Sequence, residues 1–177
     1  MSKRMFVCFI LTILGAGVAL AQSSKFGSWF TETESDCLLY AATVNDSGAL
    51  LGQFCFPAEG SCLWLLGMIT ACDKGDEYLV LANSDVGAAQ LKVLCDEKLE
   101  SGLYRYVFTD FDTVDDIVKK GARVGFAVPL KADQFRIVRF DLSGATTAIT
   151  MMRSIAEKKT KPSQKTPSVR GTRDQLL

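Results

Sequence analysis

Residues 55–72 read CFPAEGSCLWLLGMITAC, which places Cys55, Cys62 and Cys72 within 18 positions around an apolar run. Clustered cysteines serve as metal ligands, as nucleophiles or as the ends of disulfides. Structural zinc sites need short paired spacings so that two thiolates reach one tetrahedral ion. Cys37, Cys55, Cys62, Cys72 and Cys95 are separated by 18, 7, 10 and 23 residues, and the 177-residue chain contains no histidine. No metal ligand is therefore expected. A thiol nucleophile of the common kind also lacks its imidazole base. The remaining reading makes these five of the chain's six cysteines disulfide candidates, with two bridges and one cysteine left over; the sixth, Cys8, lies in the N-terminal apolar run. Sequence alone does not choose among the pairings.

The segments around this stretch are short and rich in β-branched and aromatic residues. LLGQFCF (50–56), CLWLLGM (62–68), EYLVLAN (77–83), AQLKVLC (89–95), LYRYVFT (103–109), RVGFAVPL (123–130) and QFRIVRFDL (134–142) all fit strands. In RVGFAVPL, Val124, Phe126, Val128 and Leu130 share one face. CLWLLGM and EYLVLAN are apolar on both faces and are expected at the centre of the sheet. Turn signals NDSG, PAEGS, DKGD and ESG separate the runs. The pattern predicts a mainly β, single-domain antiparallel β-sandwich, braced by disulfides, with one short helix and a C-terminal helix. The short helix is TVDDIVKKG, with Thr113 as its N-cap, Asp116 completing a capping box and Gly121 as its stop. The second begins near Ser143 and carries Ala145, Ala148, Ile149, Met152 and Ala156 on one stripe.

The N-terminus, MSKRMFVCFILTILGAGVALAQSS, has the anatomy of a secretory signal peptide. Lys3 and Arg4 precede an uncharged apolar run, and Ala19-Leu20-Ala21 supplies a cleavage site before Gln22. The run is shorter than the ~20 residues of a spanning helix. Residues 1–21 are thus expected to be removed, leaving a periplasmic or secreted protein that does not span a membrane. Residues 157–177, EKKTKPSQKTPSVRGTRDQLL, hold six basic and two acidic residues and are expected to be a disordered basic tail. Such a tail could attach to an anionic surface or serve only solubility. Taking the tail, Lys3 and Arg4 from totals of 20 basic and 20 acidic leaves 12 and 18 in residues 22–156. That acidic body, together with export, argues against nucleic acid.

Without histidine there is no Ser-His-Asp triad, Cys-His dyad or zincin motif. No phosphate-binding glycine loop is present either, and no cofactor is expected. The carboxylates of DFDTVDD (Asp110, Asp112, Asp115, Asp116) lack the glycine and glutamate of an EF-hand and read as a helix N-terminus. Trp64, apolar on both flanks, reads as core, whereas Trp29 near the mature start is expected to be partly exposed. Arg136 and Arg139 fall on opposite faces of one strand.

The export signal, the FGSW opening (26–29) and the closing stretch FDTVDDIVKKGARVGFAVPLKADQFRIVRFDLSGATTAI (111–149) together resemble the invasion-associated locus B family. The Lys119-Lys120-Gly121 turn, Phe126, Phe140, Leu142, Gly144 and Ala148 carry that resemblance, as does Gly27-Ser28-Trp29 eight residues before Cys37. It implies an exported bacterial β-sandwich protein linked to host-cell invasion and brings no catalytic residues. The resulting expectation is a non-enzymatic protein that binds a protein or envelope component through loops 45–49, 57–61 and 73–76. The rivals are an exported enzyme using paired carboxylates or a cysteine, and a small-ligand carrier with an apolar interior.

Overall fold

A computed structural model describes residues 23–35, 37–129 and 134–160. The expected signal peptide, Leu130 and the tail beyond residue 160 lie outside the described residues. Ten strands and two helices follow one another as β1 (Ser24–Phe26), β2 (Trp29–Ser35), β3 (Leu38–Val44), β4 (Leu50–Phe56), β5 (Ser61–Met68), β6 (Glu77–Ser84), β7 (Gly87–Lys98), β8 (Tyr104–Phe108), α1 (Phe111–Lys120), β9 (Arg123–Pro129), β10 (Phe135–Asp141) and α2 (Ala145–Thr160). All seven expected runs are strands. The chain is mostly β, as read from the sequence.

The layers of the sandwich are halves of one continuous antiparallel sheet, ordered β1-β2-β3-β4-β5-β8-β7-β6-β9-β10. Trp29 on β2 and Trp64 on β5 are three strands apart, roughly 14 Å in a flat sheet. Their ring centroids nevertheless stand 6.2 Å apart, edge to face. Phe108 on β8 and Phe126 on β9 are likewise three strands apart and meet at 5.2 Å. The sheet therefore curls over its inner face, and its two ends approach each other.

The FGSW motif ties those ends together. Trp29 Nε1 donates to Asp141 O at 3.1 Å, and Ser28 N to Ser143 O at 3.0 Å. A Cβ on Gly144, whose φ is +88°, would lie 1.9 Å from Phe26 O, and one on Gly27 (φ +58°) 2.6 Å from Ser143 O. Only glycine lets these two turns touch. Trp29 is thus fully buried rather than partly exposed, because the curl places β10 over it.

Inside the curl the stripe of α2 joins the sheet. Ala145, Ala148, Ile149, Met152 and Ala156 pack into one core with Trp29, Leu39, Leu51 and Trp64. This helix runs to Thr160, so residues 157–160, assigned to the tail from composition, are helical. Lys158 and Lys159 suit its negative end, and Thr160 Oγ1 donates to Pro57 O (3.2 Å) and Ala156 O (2.9 Å). α1 begins earlier than expected. Asp110, not Thr113, is the N-cap: its Oδ1 accepts from Thr113 N at 3.1 Å and its Oδ2 from Thr113 Oγ1 at 2.7 Å. Thr113 is the residue being capped. Gly121 does stop the helix, in an extended conformation (φ −84°).

Of the two strands expected at the centre of the sheet, one departs from its expected environment. β5 sits centrally and buries both faces of its second half. β6 is also interior to the sheet, yet Leu79 and Leu81 remain 52% and 55% exposed, because no element covers the outer face there among the described residues. Strands β2 (WFTETES) and β3 (LLYAATV) escaped the hydrophobic pattern. On β2 the inward positions after Trp29 include Thr31, buried although polar, so strict apolar alternation is lost.

Candidate binding cleft

Four of the five cysteines among the described residues form two bridges. Cys55 and Cys62 are register partners across the β4–β5 hairpin and are bonded to each other. Cys72 joins Cys95, with 6.0 Å between their Cα atoms, and fastens the β5–β6 connection to β7. Cys37 is half-buried at the entry to β3, outside both bridges. Among the described residues no group of three or more His, Cys, Asp or Glu side chains is placed to hold a metal ion.

The first bridge floors a cleft of about 290 Å³ between the β4–β5 turn and the last turns of α2. Phe56, Pro57, Gly60 and Ser61 line one side, and Arg153, Ala156, Glu157 and Thr160 the other. Arg153 is held from behind. Its Nε donates to Gln53 Oε1 at 2.7 Å, its Nη2 bonds Asp115 Oδ1, and its guanidinium lies 5.5 Å from the centre of the Phe111 ring. Gln53, fully buried on β4, completes the network by donating Nε2 to Asp115 Oδ1 at 3.3 Å. Every polar group that the core strand β4 sends inward is thus matched by α1 or α2. The guanidinium is fixed in position, with part of its charge balanced by Asp115.

The carboxylates of DFDTVDD are dispersed rather than convergent. Asp110 caps α1. Asp115 pairs with Arg153 and with Lys119 (3.4 Å), and Asp116 pairs with Lys120 (2.8 Å). Glu157 is the one carboxylate among the cleft's lining residues.

Of the three expected recognition loops, one borders the cleft. β4 runs between loops 45–49 and 57–61, so these lie at opposite ends of that strand. Loop 45–49 is organised by Asn45 Oδ1, which accepts from Ser47 N (3.1 Å) and Ala49 N (2.9 Å). The connection to loop 73–76 leaves β5 at the end where Leu50 pairs with Gly67, and the loop itself lies against β7. It is tightly pinned: Gly75 N donates to Cys95 O at 2.8 Å and Cys95 N to Asp76 O at 2.9 Å, while ahead of it Tyr106 OH donates to Thr70 O at 3.0 Å. Burial pushes the Tyr106 hydroxyl up to about 12, with Tyr78 and Tyr104 adding to the rise. The structure therefore brings loop 57–61 together with α2 and leaves the other two loops apart.

Arg136 and Arg139 do fall on opposite faces of β10. Arg139 is exposed; Arg136 is half-buried, and its Nε has no hydrogen-bond partner among the described residues. Sequence reasoning missed Gln53, Asp115 and Arg153 as a unit. The clues were a glutamine inside an apolar strand and an arginine beside the apolar stripe of α2.

No protein-family model matches this chain, and no curated protein sequence matches it. Among solved structures, the crystal structure of invasion associated protein B from Bartonella henselae is similar over 76% of this chain and 98% of that one, with a TM-score of 0.54 and 15% sequence identity. At that identity the likeness is one of fold: this curled, disulfide-braced sheet resembles invasion associated protein B only distantly in sequence, but in architecture over nearly all of that protein's length.

Proposed function

We propose that this chain is an exported, non-enzymatic bacterial protein that binds a protein or envelope component through the cleft between loop 57–61 and α2. The observation that carries the reading is the cleft itself. A rigid hairpin locked by a disulfide and a prepositioned guanidinium make one wall each, and the lining holds one carboxylate where glycoside hydrolysis needs two. At about 290 Å³ it sits at the bottom of the range for small-ligand pockets, and Trp29 and Trp64 fill the interior. A protruding loop or a terminal group of a larger partner fits it better than a carried small molecule. Export is supported by two disulfides, which persist in oxidising compartments, and by the signal-like N-terminus. No helix among the described residues is long and apolar enough to cross a membrane. The basic tail adds attachment to anionic surfaces.

The test is capture from envelope and host-surface extracts by the immobilised mature protein, compared with Ser61→Trp, which fills the cleft, and Lys92→Ala on β7 as a control. A component retained by wild type and Lys92→Ala but lost by Ser61→Trp is expected. Identical capture by all three would remove the cleft from the proposal.

A further inference from the structure

The cleft between loop 57–61 and α2 differs in charge from the rest of the body. Residues 22–156 hold 12 basic and 18 acidic residues, but the α2 wall and the chain just beyond it reverse that balance. From Arg153 to Lys165 the basic residues are Arg153, Lys158, Lys159, Lys161 and Lys165, and the one acidic residue is Glu157. Asp115 serves two cations, Arg153 and Lys119, so one positive charge of that trio stays uncompensated. Glu157 in the lining and Glu59 in the loop oppose an incoming anion, and the basic residues outnumber them. The local field therefore favours a negatively charged group.

The cleft also presents two unengaged donors on opposite walls. Arg153 engages Gln53 through Nε and Asp115 through Nη2, whereas Nη1 has no hydrogen-bond partner among the described residues and is open to solvent. Facing it, Ser61 is exposed, and no hydrogen bond holds its Oγ among the described residues. Because Gln53 and Asp115 already fix the guanidinium, binding at Nη1 forfeits little of the side-chain freedom that a loose arginine would lose.

Between these donors the lining is apolar: the Cys55–Cys62 bridge, Phe56, Pro57 and Ala156. The volume of about 290 Å³ excludes folded elements. A single helical turn, ~10 Å wide and ~5.4 Å high, fills more than ~400 Å³. An extended chain end does fit. A carboxyl-terminal residue supplies both the anion and the apolar group, because its carboxylate and its side chain leave the same Cα. An internal aspartate or glutamate carries the anion without an apolar group beside it.

We infer that the cleft holds the free carboxyl terminus of a partner polypeptide ending in an apolar residue, an inference that rests on the cleft being the recognition site. One carboxylate oxygen accepts from Arg153 Nη1 and the other from Ser61 Oγ, and the last side chain lies against the bridge and Pro57. Capture of a chain end by convergent donors is a recurring mode of peptide recognition.

Fluorescence anisotropy of a dye-labelled peptide, Gly-Ser-Gly-Ala-Leu, with the oxidised chain from Gln22 to Leu177 tests this. The free acid should bind at least about tenfold more tightly than its carboxy-terminal amide, since the amide loses a charge-assisted pair. It should also bind more tightly than the same peptide ending in serine. Arg153→Met should bring the free acid to the level of the amide, with circular dichroism checking the fold. Two exposed positions give variants that leave the core untouched: Ser61→Ala should weaken the free acid about threefold to tenfold, and Glu157→Gln should tighten it about twofold to fivefold. Equal affinity for acid and amide, no binding of either at about 1 mM, or weaker binding by Glu157→Gln would overturn the inference. If Ser61→Trp still loses its component from the extracts in that case, the cleft stands as the recognition site and only the ligand class falls.

Discussion

Replacing each tryptophan by phenylalanine probes the curl directly. Trp29 and Trp64 are both fully buried and touch each other, so Trp29→Phe and Trp64→Phe break the same aromatic contact. Each removes roughly 40 Å³, worth about 1 kcal/mol at the usual cavity cost. Their indole nitrogens differ. Trp29 Nε1 donates to Asp141 O, whereas Trp64 Nε1 is buried with no partner. Losing the first bond costs about 1 kcal/mol, while removing an unsatisfied buried donor returns about 1–3 kcal/mol. Trp29→Phe should therefore cost about 2 kcal/mol, and Trp64→Phe should be near neutral or mildly stabilising. Urea unfolding followed by fluorescence measures both, since the chain has two tryptophans and each variant keeps one as reporter. Equal costs, or a larger cost at Trp64, would refute the claim that β10 is fastened over Trp29.

Other expectations follow from the bridges, a turn and the helix end. Chain-entropy arithmetic assigns about 2.4 kcal/mol to Cys55–Cys62, separated by 7, and about 3.4 kcal/mol to Cys72–Cys95, separated by 23. Replacing both members of the second bridge should thus lower the urea midpoint more than replacing both members of the first, and the reverse order would contradict that account. Asp85 Oδ1 accepts from Ala122 N (2.8 Å) and Arg123 N (3.1 Å), and these amides, Arg123 foremost, hold its carboxyl below the ordinary 3.8. A depressed carboxylate stabilises fully above its unfolded value, and that contribution is lost as pH falls through the folded one. Melting temperatures between about pH 5 and about pH 2 should therefore fall less steeply for Asp85→Asn than for wild type; parallel curves would argue against it. Truncation after Thr160 should leave the melting temperature unchanged. Truncation after Ala156 removes the Thr160 bonds to Pro57 and Ala156 and should lower it by roughly 3–6 °C; equal melting points would mean the last helical turn contributes nothing.

Legibility in the sequence tracked the range of the interaction. Strands such as β4 and β9 announce themselves because alternation along a strand is local. The same holds for the stripe of α2, whose five small or apolar residues are all buried. The cap of α1 was misplaced by one turn because Asp110 and Thr113 both suit that role, and only backbone geometry separates them. Thr31 hid β2, since a threonine facing a helix reads as polar in any hydrophobic pattern.

The cleft was half legible. Loop 57–61 followed from PAEGS, but its opposite wall comes from Arg153 and Thr160, about 100 residues away. Cysteine spacing and the missing histidine established bridges over zinc, yet the pairing of Cys72 with Cys95 required the path of β7 beside β8.

Local chemistry determined the class: alternation, turn residues and sulfur count suffice for a disulfide-braced antiparallel sheet carrying a C-terminal helix. Only the tertiary structure decided that the sheet is single and curled, that Trp29 lies beneath β10, and that Arg153 reaches Asp115 across two helices. Those outcomes depend on which distant surfaces meet, and alternation along one strand specifies a face without specifying what covers it.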